Sequence, residues 1–428
     1  MYSDPIPCVL LDDPELLRRS RCNLHDAGTA ETEQPGLNFF EGNKAMMNHV
    51  KTVSLLVFCF SVCSCGRAPS TEAEKEVEVE VEAEPFGRGP YAVNSTNIAI
   101  APEYADIGDD AMHDYLLGRA ESTDRRRFLT DILEYPESAW LVDVPVPDDR
   151  RRYGPAAGQT LPIAAFVTFP SADRSPKKRY MFPYYGGQYG VFEDMLEPGE
   201  PPLFADADAR YPLILIAHGA SAHGIYDVAR AQNLASHGYI VVVITYGDDR
   251  TAIADTPNHH LSFLRPFLTR AMLDSILESE TFGPRIDADN IGITGHSYGG
   301  FTALAIAGGP FQEDTATVSD ERIKAGSIAA PWVGGHYDGA DILAFGPDNR
   351  GLNQVEIPII CFFGTRDRLT KASFILPAMH QLSGPTYVVE LVDQPHIFES
   401  GSWEDRDNWE LLFFSAYLKN DAASLAML

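Results

Sequence analysis

Six short, almost wholly apolar runs constrain this chain most: Leu213–Ala217, Tyr239–Thr245, Ile291–Thr294, Ala325–Ala330, Ile357–Phe363 and Tyr387–Val392. Each is too short for a helix and lacks the polar alternation of a strand wetted on one face. Strands buried on both faces read in this way, and they belong to parallel sheets. The intervening segments carry helical patterns: Ile225–His237, a long stretch ending at Ser279 with Pro266 near its start, Phe301–Gly308 and Trp409–Lys419. Leu141–Val146 and Leu161–Phe169 read as strands leading into the series, and 179–203, rich in Tyr, Phe, Gly and Pro, as a long loop. Strand and helix in alternation predict an α/β domain with a doubly wound, mostly parallel sheet and helices on both faces.

The first hundred residues differ from the rest. Residues 1–45 show no sustained apolar periodicity and read as disordered, or as an extension that is not part of the natural protein. After Met46 and Met47, Lys51 precedes the apolar run Val53–Val62 and then Cys63-Ser64-Cys65-Gly66. A basic residue, a short apolar stretch and small residues describe an export signal over 46–65. Val62-Cys63-Ser64-Cys65 also resembles a bacterial lipobox, although Cys63 is unusual there; lipidation of Cys65 would anchor the chain to a membrane. Residues 71–85 carry seven Glu and one Lys. Their mutual repulsion favours an extended tether, so 66–96 reads as an acidic linker. The catalytic domain is then 97–428. Its expected location is the periplasm, the outer membrane as a lipoprotein, or the exterior.

Composition supports this division. Lys and Arg number 33 against 61 Asp and Glu, a net charge of −28. Such a chain lacks the cations that a nucleic-acid surface needs to displace counterions. Five of the six cysteines fall within residues 1–65. Only Cys361 lies in the domain, inside an apolar run, so no internal disulfide is expected there.

Gly295-His296-Ser297-Tyr298-Gly299-Gly300 follows one apolar run directly and opens a helical pattern. A Ser on a sharp strand-to-helix turn needs small residues on both sides, which is the Gly-x-Ser-x-Gly nucleophile elbow. Ser297 is the candidate nucleophile. A hydroxyl needs a base, and in this arrangement an acid and then a His follow the Ser in the chain. His396, in Gln394-Pro395-His396 after the last run, is the candidate base. His336 precedes the best acid, and His380 sits in a helical pattern. Asp367, at the end of Gly364-Thr365-Arg366-Asp367, is the candidate acid, with Asp338 and Asp341 as alternatives. The oxyanion donors would be the N–H groups of Tyr298 and of Ala220, in His218-Gly219-Ala220. His218 precedes the Ser and reads as a residue that braces this loop on the substrate side.

Ile216-Ala217-His218-Gly219-Ala220, Leu234–Val241 and the elbow together resemble α/β-hydrolases of the platelet-activating-factor acetylhydrolase and dienelactone hydrolase group. The likeness spans about residues 140–420. Dienelactone hydrolases proper carry Cys at the nucleophile position, where this chain has Ser297, so the acetylhydrolase-like branch is closer. The resemblance implies an α/β-hydrolase fold, hydrolysis of carboxylic esters through an acyl-enzyme, and no metal or organic cofactor. Polyester hydrolases of the cutinase type share the arrangement.

Selectivity would come from loops. Trp332 is either an apolar wall for the substrate or a packing residue, and 181–192, with five aromatics, is either a binding rim or a packed loop. Asp206 and Asp208 read as solvated rather than as calcium ligands. The expectation is a serine esterase acting on a small-molecule, lipid or polymer ester. One rival is a serine peptidase of the prolyl-oligopeptidase type, for whose propeller residues 1–140 are too short. The other is an adhesion protein on a hydrolase fold, which would have a broken triad.

Overall fold

A computed structural model describes residues 53–58, 87–96 and 140–428, apart from 176, 178–179, 184–188, 193, 197–199, 221, 223, 247–257, 312–317, 338–339 and 400. Residues 1–45, for which disorder or a non-native origin is the expectation from sequence, Cys65 and the acidic run 71–85 therefore lie outside the described residues. The strands are β1 (Val53–Phe58), β2 (Ala92–Ser95), β3 (Trp140–Pro145), β4 (Thr160–Ser171), β5 (Tyr180–Pro183), β6 (Tyr189–Phe192), β7 (Tyr211–Ala217), β8 (Ile240–Thr245), β9 (Ile286–His296), β10 (Ile323–Ala329), β11 (Gly334–Tyr337), β12 (Ala340–Leu343), β13 (Ile359–Gly364) and β14 (Thr386–Leu391). The helices are α1 (Arg150–Tyr153), α2 (Val228–Ser236), α3 (Asn258–Glu278), α4 (Tyr298–Ile306), α5 (Ala372–Met379), α6 (Ser402–Leu418) and α7 (Ala422–Met427).

Among the described residues, ten strands form one sheet in the order β1-β14-β13-β10-β9-β7-β8-β4-β2, with β3 also paired to β4. The strands from β14 to β8 along this path are parallel. β4 runs antiparallel to β8, and β2 and β3 run antiparallel to β4. β1 adds antiparallel to β14. This strand is the first part of the apolar run that reads as the core of an export signal. Among the described residues no helix is long and apolar enough to cross a membrane.

The period of two along each strand builds a core on each face. Leu213, Leu215 and Ala217 of β7 join Ile240, Val242 and Ile244 of β8 under α3, α4 and α5. Ile214, Ile216, Val241 and Val243 face the other way, onto α2 and α6. These strand residues are buried at 0–1% exposure, and each Leu, Ile and Val among them contributes about 1.5–3 kcal/mol of transfer free energy. α4 is buried along its whole length, which its small-residue sequence permits.

Four expectations change. The linker expected over 66–96 ends earlier, because Ala92–Ser95 forms β2 and pairs antiparallel with β4 inside the large sheet. The segment 179–203 is not one loop, because β5 and β6 pair antiparallel within it. Pro266 lies in the interior of α3 rather than near its start, since the helix begins at Asn258. The last long helix begins at Ser402, upstream of Trp409.

Sheet order fixes where a site can form. From β7 the chain passes to β8 on one side, and the later strands β9, β10, β13 and β14 lie on the other. Loops leaving the C-terminal ends of β7 and β9 therefore diverge and leave a crevice, the usual ligand position in open α/β sheets.

Candidate active site

Ser297 sits at that crevice, between β9 and α4, with φ 57° and ψ −117°. This is a rare conformation for a residue with a side chain, and the surroundings must enforce it. Two glycines make room. A Cβ on Gly299 would lie 1.9 Å from the Ala217 carbonyl oxygen, and one on Gly295 would lie 2.4 Å from the Gly299 main chain. The Ser297 N–H donates to Ala329 O at 2.8 Å. The Ser297 carbonyl accepts from the N–H groups of Phe301 at 3.2 Å and Trp332 at 3.0 Å. The turn is thus tied to the end of β10 and to its own helix.

The structure brings Asp367 and His396 to this serine. Asp367 follows β13 and is 6% exposed. Its Oδ1 accepts from the N–H groups of Leu369 and Thr370 at 2.8 and 2.9 Å. Its Oδ2 accepts from the Thr370 hydroxyl at 2.6 Å and from His396 Nδ1 at 2.8 Å. Burial pushes the carboxyl up, but the hydrogen bonds from His396 and Thr370 outweigh it and hold the group below the usual carboxylate range. An ionised carboxylate can only accept, so His396 carries its proton on Nδ1. Its Nε2 is then a bare lone pair, 3.0 Å from Ser297 Oγ. A base at this distance, with its tautomer fixed from behind, can take the hydroxyl proton.

Three supporting residues escape sequence reasoning. Thr370 touches Asp367, lies 3.2 Å from His396 Nδ1 and reaches Ala330 O at 3.0 Å. His296 packs its ring 4.8 Å from that of His396 and donates Nε2–H to the His396 carbonyl at 2.8 Å. Burial and then the neighbouring His396 push the His296 imidazole down to about 3, so it stays neutral. Arg265, on α3, is fully buried and donates to the carbonyls of His218 at 2.6 Å and Gly219 at 3.0 Å. Its signal was a charge on an apolar helical face, with Leu261, Leu268 and Met272 at helical spacing around it.

The His218-Gly219-Ala220 loop leaves β7 beside Ser297; a Cβ on Gly219 would lie 3.7 Å from Ser297 Cβ. His218 is 1% exposed. Its Nδ1–H donates to Gly219 O at 2.7 Å, and its Nε2 accepts from the Tyr246 N–H at 3.2 Å. Both ring nitrogens thus contact the main chain, and the ring braces the loop. Ala220 is exposed, and Tyr298 opens α4. Trp332 is half-buried, with its ring 5.8 Å from that of Tyr298 and 5.6 Å from that of Phe301.

The remaining candidates stand apart. His336 contacts Asp341 at 2.8 Å across the β11–β12 pair, with both side chains exposed. Asp338 lies outside the described residues. His380 ends α5, next to Leu376 and Met379. Asp206 and Asp208 form an exposed turn, in which Asp206 Oδ1 accepts from the Asp208 N–H at 2.9 Å. Cys361 is fully buried, and burial pushes its thiol up. Beneath the elbow, Arg230 pairs with the fully buried Glu410, which also accepts from Thr294 at 2.7 Å. Burial pushes Glu410 up, but Arg230 outweighs it and brings the carboxyl down to about 2.

No protein-family model matches the chain, and no curated protein matches it either.

Proposed function

We propose that this protein has the α/β-hydrolase fold and is a serine carboxylic-ester hydrolase. The observation that carries the reading is one relay on one strained turn. Asp367 holds His396 in a single tautomer, and the free nitrogen of His396 lies 3.0 Å from Ser297 Oγ. His396 takes the Ser297 proton as Oγ attacks the ester carbonyl, and Asp367 stabilises the imidazolium that forms. The N–H groups of Tyr298 and Ala220 receive the oxyanion. His396 then protonates the leaving alcohol. It next deprotonates a water that attacks the acyl-enzyme, releasing the acid and restoring Ser297. This sequence needs no metal or organic cofactor.

We further read the chain as exported, with Cys65 lipidated or the domain released, and the acidic run 71–85 as its tether. Cleavage before Cys65 would remove β1 and leave β14 at the sheet edge. The mass of the mature N-terminus tests this directly.

A panel of p-nitrophenyl esters of graded acyl length, with a polyester film and aminoacyl amides alongside, tests the reaction class. Ester turnover that vanishes in a folded Ser297→Ala variant is the expected result. Full turnover by that variant overturns the reading, and preference for the amides replaces it with a peptidase.

A further inference from the structure

The two N–H groups assigned to the oxyanion lie on different elements, one after β7 and one at the start of α4. A third element, α3, touches the carbonyl of the Gly219–Ala220 peptide and the side chain of Tyr298. Arg265 is fully buried on α3 and puts Nη2 3.0 Å from the Gly219 carbonyl. His218 Nδ1–H reaches the same oxygen at 2.7 Å. The Ala222 N–H also reaches it, at 3.4 Å. A trans peptide is planar, with its C=O and N–H pointing in opposite directions. Fixing the Gly219 carbonyl with these donors therefore fixes the Ala220 N–H of that same peptide. The second guanidinium nitrogen holds the preceding carbonyl, of His218, at 2.6 Å. Two consecutive peptides are thus set by one planar fork, which a lysine cannot reproduce.

The same guanidinium lies 5.2 Å from the centre of the Tyr298 ring and 4.7 Å from that of Tyr246. One turn before Arg265, Ser262 Oγ lies 3.0 Å from the Tyr298 hydroxyl. Tyr298 is the residue after the nucleophile, and its N–H is the other assigned donor. Tyr246 is itself held, with its hydroxyl 2.7 Å from Thr269 Oγ1 of α3.

We propose that Arg265 is the positioning residue of the oxyanion hole, holding the peptide that presents the Ala220 N–H and the ring of Tyr298 in one register. This rests on the ester-hydrolase reading. Hydrogen-bond donors stabilise a transition state only when they are already aimed at the developing charge, and the loss of one costs about 10²–10³ in kcat. An orienting residue that is not itself a donor should cost less.

The test compares Arg265→Lys and Arg265→Gln with the parent chain for p-nitrophenyl ester turnover and for affinity toward a trifluoromethyl ketone. The ketone forms a tetrahedral adduct that mimics the intermediate. Expected is a fall in kcat of roughly 10–100-fold in both variants, with KM within about threefold. The ketone affinity should weaken in parallel with kcat/KM. Unchanged kcat in folded variants overturns the proposal. So does a rise in KM alone, or a fall in kcat with ketone affinity intact, because a merely structural residue would not single out the tetrahedral state. If neither variant folds, a crystal structure of the parent adduct decides. An oxyanion in hydrogen-bond reach of Ala220 N and Tyr298 N, with the Gly219 carbonyl still on Arg265, supports the proposal; an oxyanion elsewhere, or a flipped Gly219 peptide, overturns it. Failure of the ketone to attach to Ser297 would instead overturn the ester-hydrolase reading.

Discussion

Two histidine–aspartate pairs in this molecule have the same contact distance and different surroundings. His396–Asp367 and His336–Asp341 each bring Nδ1 to a carboxylate oxygen at 2.8 Å. The side chains of the second pair are 56% and 65% exposed, whereas Asp367 has no exposed side-chain surface and His396 has 14%. In water such a contact contributes between nothing and about 1 kcal/mol, and it is screened by salt. Removed from water, the same contact sets a tautomer. The second difference is the far nitrogen of the ring. That of His396 meets Ser297 Oγ, while no contact joins His336 to the serine among the described residues. A His–Asp contact is therefore an incomplete signature of a catalytic base; burial of the acid and the reach of Nε2 decide.

The largest break of this comparison is at its centre. Ser297→Ala should lower kcat on esters by about 10⁵–10⁶, with unchanged circular dichroism and Tm, as checked by steady-state kinetics and thermal melts. Asp367→Asn comes next, at about 10⁴ in kcat, because an amide can present an N–H to His396 and favour the wrong tautomer. The matched change Asp341→Asn should leave kcat/KM within about twofold, since that pair is solvated. Equal losses in the two Asn variants would erase the distinction between the two pairs.

Smaller effects sharpen it. Thr370→Val keeps the shape but removes the hydroxyl that donates to Asp367. About a tenfold loss in kcat is expected, from one charge-assisted hydrogen bond of about 1.5–3 kcal/mol that is partly replaced by the remaining donors. Asp367 also predicts a pH signature. Its folded pKa is depressed, so its ionised form stabilises the fold at pH above the ordinary carboxylate value of about 4. That contribution is lost as pH falls from there through the lowered folded value. The acid-side decline of parent stability in urea titrations should therefore flatten over that window in Asp367→Asn. An unchanged slope would show that Asp367 is not held ionised.

Much of this was legible in the sequence because both signals are local. Fully apolar runs mark strands covered on both faces, and every such run lies on a strand of the large sheet. The elbow was legible because close approach allows little besides glycine at 295 and 299. Other features depend on distant parts of the chain meeting. Thr370 reads as an ordinary residue before a helix until His396, remote in the chain, is beside it. Arg265 reads as one charge on a long helix, and nothing local says that the His218–Gly219 carbonyls lie across from it. Trp332 and His218 were legible as residues near the site, but not for what they touch. Val53–Phe58 illustrates the converse: a short β-branched and apolar run suits an export signal and a sheet edge equally well, and local sequence does not separate them.

The most direct test of the central claim is labelling of the native chain with a fluorophosphonate, followed by peptide mass spectrometry. One adduct is expected, on Ser297, and it should disappear in His396→Ala, where the base that activates the hydroxyl is gone. An unlabelled Ser297 in active protein, or an adduct on another serine, would contradict the claim.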